Sequence, residues 1–191
     1  SSEINVLIST TFNDAGQLAR LLEDLISQSV QVGKVIIIFQ RAQIQAFKDI
    51  SVHKFIEKFK AHLPIYYEIH DEVGLSKSRN RALKAATGEI LLLADDDCRY
   101  PADAIKQILT ACNQFPDADV LTFQIRSNQL EKPFKAYPHK PYQHNLRTLM
   151  KVSSIEIVLR RKVLTAGAGL FDERFGLGAL WPSGEEFIML A

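Results

Sequence analysis

EVGLSKSRNRALKAATGEILLLADDDCRYP, residues 72–101, joins a helical stretch to an apolar run that ends on three consecutive aspartates. Ser76 or Ser78 can cap the helix, Ala82, Leu83 and Ala86 supply its inner face, and Gly88 fits the position just past its end. Residues 89–94 are too apolar to face water, which predicts a strand buried on both faces. Asp95, Asp96 and Asp97 follow at once. Adjacent like charges repel, and burying any of them is costly. One aspartate would serve to cap a helix after Pro101; three exceed that need. A hard divalent cation relieves the repulsion, because Mg²⁺ and Mn²⁺ prefer carboxylate oxygens. Mg²⁺ usually takes only one or two protein carboxylates and completes its shell with phosphate oxygens and water. The triplet therefore points to a metal-bound diphosphate rather than to an all-protein cage.

Outward from this segment, helices alternate with strands. Residues 4–9, 35–39 and 65–69 read as further buried strands, and 120–125 and 155–161 as later ones. Leu18, Leu21, Leu22, Leu25 and Ile26 recur at helical spacing, predicting a helix over 14–28. Residues 43–60 look helical with a break near Ser51, and Pro101 suits the start of a helix over 101–114. Residues 127–145 read as a long irregular loop. Residues 161–168 start a short helix, and a glycine-rich end runs into a helix begun near Ser183. This alternation predicts an α/β protein, a mostly parallel central sheet covered by helices on both faces. Ligands in such sheets bind at the carboxyl ends of the strands. Three polar exits stand out: Thr10–Asn13, Gln40–Arg41 and the aspartates.

The 191 residues suffice for one domain. Lysine and arginine total 23 against 22 acids, so net charge gives no argument for nucleic-acid binding. Cys98 and Cys112 form no CxxC pair, no signal-peptide pattern appears, and no apolar run is long enough to cross a bilayer. The expected setting is cytoplasmic and reducing, with contact at the inner face of a membrane left open. From Arg126 to Lys162, Arg126, Lys132, Lys135, Lys140, Arg147, Lys151, Arg160, Arg161 and Lys162 face only Glu131 and Glu156. A loop this long and basic suits a phosphate-bearing acceptor or an anionic membrane surface, although most charge-rich loops are simply solvated.

Several ordered pieces resemble the GT-A glycosyltransferases, specifically the large inverting family 2. VLISTTFND near the start, the 72–101 segment, and GLFDERFGLGALWPSGEE near the end carry the resemblance. It implies a GT-A (Rossmann-like) αβα sandwich forming one catalytic domain. Residues 1–125 would bind the nucleotide-diphosphate sugar, and 126–191 would hold the acceptor and the catalytic base. By position, Asp95 would lie near the ribose, Asp96 would bind Mn²⁺ or Mg²⁺, and Asp97 would coordinate the ion or orient the diphosphate. Thr10 and Phe12 would meet the base, with Arg79 and Asn80 near the nucleotide. Glu186 would be the base for the acceptor hydroxyl, with Glu185 as the alternative. Trp181 and His139 are acceptor candidates. The implied function is transfer to a glycan or lipid-linked acceptor, as in bacterial surface polysaccharide synthesis, with UDP-sugars favoured and no nucleic-acid partner.

Three positions depart from the family pattern. Gln40 stands where an aspartate usually reads the base; its amide both accepts and donates, so uracil or another base would fit. Ala94 stands where the acidic motif often begins, and the closing pair is Glu185–Glu186 instead of Glu-Asp. Ser183 and Glu186 also have the spacing of a capping box. The chain stops five residues after Glu186, where family members commonly continue with further helices. Either it is a minimal catalytic domain or residues beyond 191 are left out. A sugar-phosphate nucleotidyltransferase would share this sheet but would show a basic glycine-rich loop after the first strand, where TTFNDAG stands. A non-catalytic nucleotide-sugar-binding module is the third alternative. No GxxxxGK, GxSxG or HExxH motif occurs.

Overall fold

The computed structural model describes residues 3–40, 48–127, 132–165 and 170–191. Strands β1 (Ile4–Thr10), β2 (Lys34–Gln40), β3 (Ile65–His70) and β4 (Ile90–Asp95) alternate with helices α1 (Ala15–Ile26), α2 (Lys48–Lys60) and α3 (Leu75–Ala85). Helix α4 (Ala104–Gln114) follows, then β5 (Val120–Thr122), a small hairpin of β6 (Arg126–Ser127) and β7 (Lys132–Pro133), and α5 (Leu146–Leu149). A 3₁₀ turn at Ser154–Glu156 leads into β8 (Ile157–Arg160), with α6 (Lys162–Thr165) and α7 (Glu185–Leu190) last. No helix among the described residues is long and apolar enough to cross a membrane.

The main sheet runs β3-β2-β1-β4-β8-β5. The first four strands are parallel, and β8 lies antiparallel between β4 and β5. Successive strand side chains point to opposite faces, and both faces are covered. Ile4, Val6, Ile8, Val35, Ile37, Phe39, Ile90 and Leu92 pack with Leu18, Leu22, Ile56 and Ile105 from the helices. Leu7, Ile36, Ile38, Leu91 and Leu93 pack with Ala82, Leu83 and Phe171 on the other side. Two buried faces leave no place for polar alternation, which is why the middles of β1, β2 and β4 are apolar and their polar residues lie near the ends.

Several boundaries differ from the sequence reading. Helix α3 starts at Leu75 with Gly74 at its N-cap and no side-chain cap, and Ala86 ends it in an extended conformation. Gly88 lies beyond that end: a Cβ there would sit 2.4 Å from the Glu3 carbonyl, and Asn5 Oδ1 accepts the Gly88 amide at 2.8 Å. Helix α4 begins at Ala104 rather than Pro101, and Gln28 Oε1 accepts the Ile105 amide at its start. Strand β5 stops at Thr122, and the expected loop over 127–145 contains the β6–β7 hairpin. Helix α2 continues through Ser51 without a break, while residues 43–47 lie outside the described ones.

Polar core groups tie α3 to the sheet. His70 is buried at the end of β3, its Nε2 is 2.9 Å from Ser78 Oγ, and its Nδ1 meets no partner among the described residues. Burial holds its pKa below the usual histidine value; Arg81 pushes the same way, against Glu68, Glu72 and Asp71. The unfolded chain then takes up the proton first, near pH 6.5, so stability is full above that pH and declines as pH falls through the folded value. The melting temperature is expected to drop between pH 7.5 and 5.5, and His70→Gln should flatten part of the drop. An unchanged slope in the variant would exclude His70 as its source.

Candidate active site

The parallel strands all exit at one edge, and a cleft of about 390 Å³ opens there. Ser9, Thr10, Thr11 and Asn13 come from the end of β1, Gln40 from β2, and Asp95, Asp96 and Asp97 from β4. Leu75, Leu177 and Gly178 complete the lining. Register explains the convergence: Ser9 pairs with Asp95, and Thr10 with Phe39, the neighbour of Gln40. The volume is within the usual range for small-molecule sites.

Thr10 Oγ1 donates to Asp96 Oδ2 in a short hydrogen bond and accepts the Phe12 amide at 2.9 Å, which ties the β1 exit to the β4 exit. Burial raises the Asp96 carboxyl above its ordinary value; Thr10 opposes the rise, while Asp97 and Asp95 add to it. Asp95 is raised too, by burial first, against the pull of Arg79. Asp97 is exposed. Asp24 anchors the chain just beyond, accepting from Arg99 Nε at 2.6 Å and from the Tyr100 amide at 3.0 Å. Among the described residues no three His, Cys, Asp or Glu side chains converge as a preformed metal cage. Such an arrangement fits an ion held by one or two carboxylates and completed by a ligand's phosphates. Repelling carboxylates with oxygen donors only are the right chemistry for Mg²⁺ or Mn²⁺.

Arg79 joins this cleft to the closing segment. Its guanidinium is buried, 3.2 Å from Asp95 Oδ1, 3.3 Å from Glu185 Oε1 and 3.7 Å from Glu186 Oε1. It also donates to Ser154 Oγ and lies over the Phe171 ring. The Ser154 amide in turn donates to Glu186 Oε1 at 3.2 Å. Ser154 was missed from the sequence; a lone serine before a strand carries no signal, and only the fold brings it under Arg79. Helix α7 starts on Gly184, which has a left-handed φ of 98° and no side-chain cap. The Ser183–Glu186 capping box is therefore absent, and Glu186 is occupied elsewhere. Glu185 is nearly enclosed, with 7% of its side chain exposed, against 18% for Glu186.

Four other candidates do not line the cleft. Phe12, with φ 55°, turns its ring into the core, edge-on to Phe39 and Phe55. A ring buried there presents no face to a ligand, which corrects the expectation of a base contact. Asn80 is also redirected: its Nδ2 donates to the Phe171 carbonyl at 2.9 Å and its Oδ1 accepts the Phe171 amide at 2.8 Å. With both ends of its amide used, Asn80 staples the closing segment to α3 instead of meeting a nucleotide. His139 lines a different groove, about 1650 Å³, running along β5 with Lys135, Tyr137, Tyr142 and His144 and sharing no residue with the acidic cleft. Trp181 is 57% exposed, outside the core.

Comparison with known proteins bears on the fold that carries this cleft. The structure resembles S. aureus TarS 1-349 with a TM-score of 0.74 at 20% identity, covering 97% of this chain and 53% of that one. The same protein in complex with UDP-GlcNAc matches with a TM-score of 0.72 at 19% identity, over 97% and 51%. Mannosyltransferase PcManGT from Pyrobaculum calidifontis, in complex with GDP-Man and Mn²⁺, gives 0.65 at 17% identity, over 92% and 49%. The chain thus spans about half the length of these solved structures. No curated protein matches the sequence. The profile described as glycosyl transferase family 2 matches residues 6–164, from within β1 into α6, a span that holds Thr10, Gln40 and the three aspartates of the acidic cleft. A family match over that span, on a sheet of the GT-A type, makes this chain a member of glycosyl transferase family 2.

Proposed function

We propose that this enzyme moves a sugar from a nucleotide-diphosphate sugar to a hydroxyl of a glycan or lipid-linked acceptor, with inversion and with a divalent ion bound. The observation that carries the reading is the convergence of Thr10, Gln40 and Asp95–Asp97 in one cleft at the strand exits. Asp96 and Asp97 would hold Mn²⁺ or Mg²⁺, with Asp95 beside them toward the ribose. A bound ion would neutralise charge building on the departing nucleoside diphosphate.

Glu186 takes the proton from the acceptor hydroxyl as that oxygen attacks the anomeric carbon. The bond to the diphosphate breaks on the opposite face, and its electron pair leaves with the nucleotide. Glu186 is assigned this role over Glu185 because it is the less enclosed acid; Glu185 is held against Arg79. The setting that goes with this reading is cytoplasmic, at the inner face of a membrane when the acceptor is lipid-linked.

Calorimetric titration of nucleoside diphosphates, with Mn²⁺ and with chelator, tests the reading. Binding is expected only with the ion. Asp96→Asn should weaken it by about a hundredfold, equivalent to roughly 2.7 kcal/mol. Equal binding in chelator, or an unchanged variant, would remove the metal from the site.

A further inference from the structure

The Ser154–Glu156 turn stands where β8 begins, and β8 runs antiparallel beside β4 with Val158 opposite Leu92. That pairing sets the turn at the strand-exit edge, where Arg79 spans from Asp95 to Ser154. Ser154 is buried there and uses two of its groups. Its Oγ accepts from Arg79, and its backbone amide donates to Glu186 Oε1 at 3.2 Å. Arg79 approaches the same carboxylate oxygen, at 3.7 Å.

Glu186 is the second residue of a six-residue helix that starts on Gly184 without a side-chain cap. Helices that short do not hold themselves together, so the direction of its side chain depends on a partner outside the helix. The turn is a firm partner. Buried Glu156 accepts the Ser153 amide at 2.6 Å, pairs with Lys135 Nζ at 2.7 Å and accepts from the Tyr137 hydroxyl. The residues on either side of Ser154 are thus tied to the segment that follows β7.

We propose that Ser154 is a positioning residue: its amide fixes Glu186 through Oε1, so that Oε2 is the oxygen that takes the proton from the acceptor hydroxyl. The inference rests on Glu186 being the base. It acts on rate and not on nucleotide binding, because neither Ser154 nor Glu186 lines the acidic cleft. Displacing a catalytic group by about 1 Å can cost on the order of a hundredfold.

The backbone permits a direct test. Ser153 is extended, with φ −100° and ψ 150°, the conformation proline demands of its predecessor, and Ser154 stands first in the turn, where proline is tolerated. Ser154→Pro therefore removes the amide donor along with the hydroxyl, whereas Ser154→Ala removes the hydroxyl alone. Both are made in the parent and in Glu186→Gln. Single-turnover sugar release is followed from UDP-GlcNAc, UDP-Glc and GDP-Man with Mn²⁺, with calorimetry of UDP and GDP in parallel. In the parent, Ser154→Pro should be about tenfold to a hundredfold slower than Ser154→Ala, at equal nucleotide affinity. In Glu186→Gln the two should be equally slow, because a residue acting only through Glu186 has nothing left to position. Equal rates of the two variants in the parent overturn the proposal. So does a gap between them that persists in Glu186→Gln. A second measurement needs no proline: the Ser154 amide proton should resonate downfield in the parent and move upfield in Glu186→Ala. An unmoved resonance overturns the proposal even where Ser154→Pro does not fold. A full-speed Glu186→Gln removes the base, and turnover of no donor removes the transfer reading, each taking this proposal with it.

Discussion

Arg79→Ala is expected to destabilise the protein by about 3–5 kcal/mol, the usual cost of removing one partner from a buried ion pair. Arg79 is 5% exposed at its side chain and faces Asp95, Glu185 and Glu186 together. Without it, Glu185 is a nearly enclosed carboxylate with no counter-ion, and Ser154 Oγ loses its donor. A loss of that size is a large share of the roughly 5–15 kcal/mol that holds a typical domain. Arg79→Lys keeps the charge but not the planar fork, so it should recover only part of the loss. Arg81→Ala is the control. Arg81 pairs with Glu68 and Glu72, but its side chain is 38% exposed, so its removal should cost about 0–1 kcal/mol. Urea unfolding of the three variants checks the ranking. An Arg79→Ala midpoint equal to that of Arg81→Ala would show that the three carboxylates do not need this cation.

Glu186→Gln is expected to slow sugar transfer by about 10²–10⁴-fold, the range associated with loss of a general base. Nucleotide binding should be preserved, because Glu186 lines no part of the acidic cleft. Folding should survive too, since glutamine keeps an oxygen to accept the Ser154 amide. The readout is single-turnover release of sugar from the donor, with calorimetry in parallel. A full-speed variant would move the base elsewhere; lost nucleotide binding would assign Glu186 to the donor instead.

The sequence exposes most of the sheet and one half of the cleft. Strands buried on both faces must be apolar in their middles, so β1, β2 and β4 stand out, and polar residues at their ends mark the exits. The aspartate triplet is readable because charge at the end of such a strand demands an explanation. What stays hidden depends on contacts distant in the chain. Asn80 looks like a nucleotide contact until Phe171 is placed against it. Phe12 is a residue that can turn either way, and the neighbouring Phe39 and Phe55 decide it. The Ser183–Glu186 spacing suggests a cap, yet Gly184 starts the helix, since left-handed backbone favours glycine. Strand β8 is detectable as a strand, but nothing local announces that it runs against its neighbours.

That reversed strand also orders assembly. Contacts between β5 and the rest of the main sheet pass through β8, and residues 123–156 must loop out before β8 arrives. Closing a long excursion costs chain entropy before any contact repays it. The four parallel strands, with the aspartates already at their rim, can therefore consolidate first during synthesis. The side bearing Arg79's later partners locks in last, so slow folding or a chaperone's grip would act on the region beyond β5 and leave the earlier half intact.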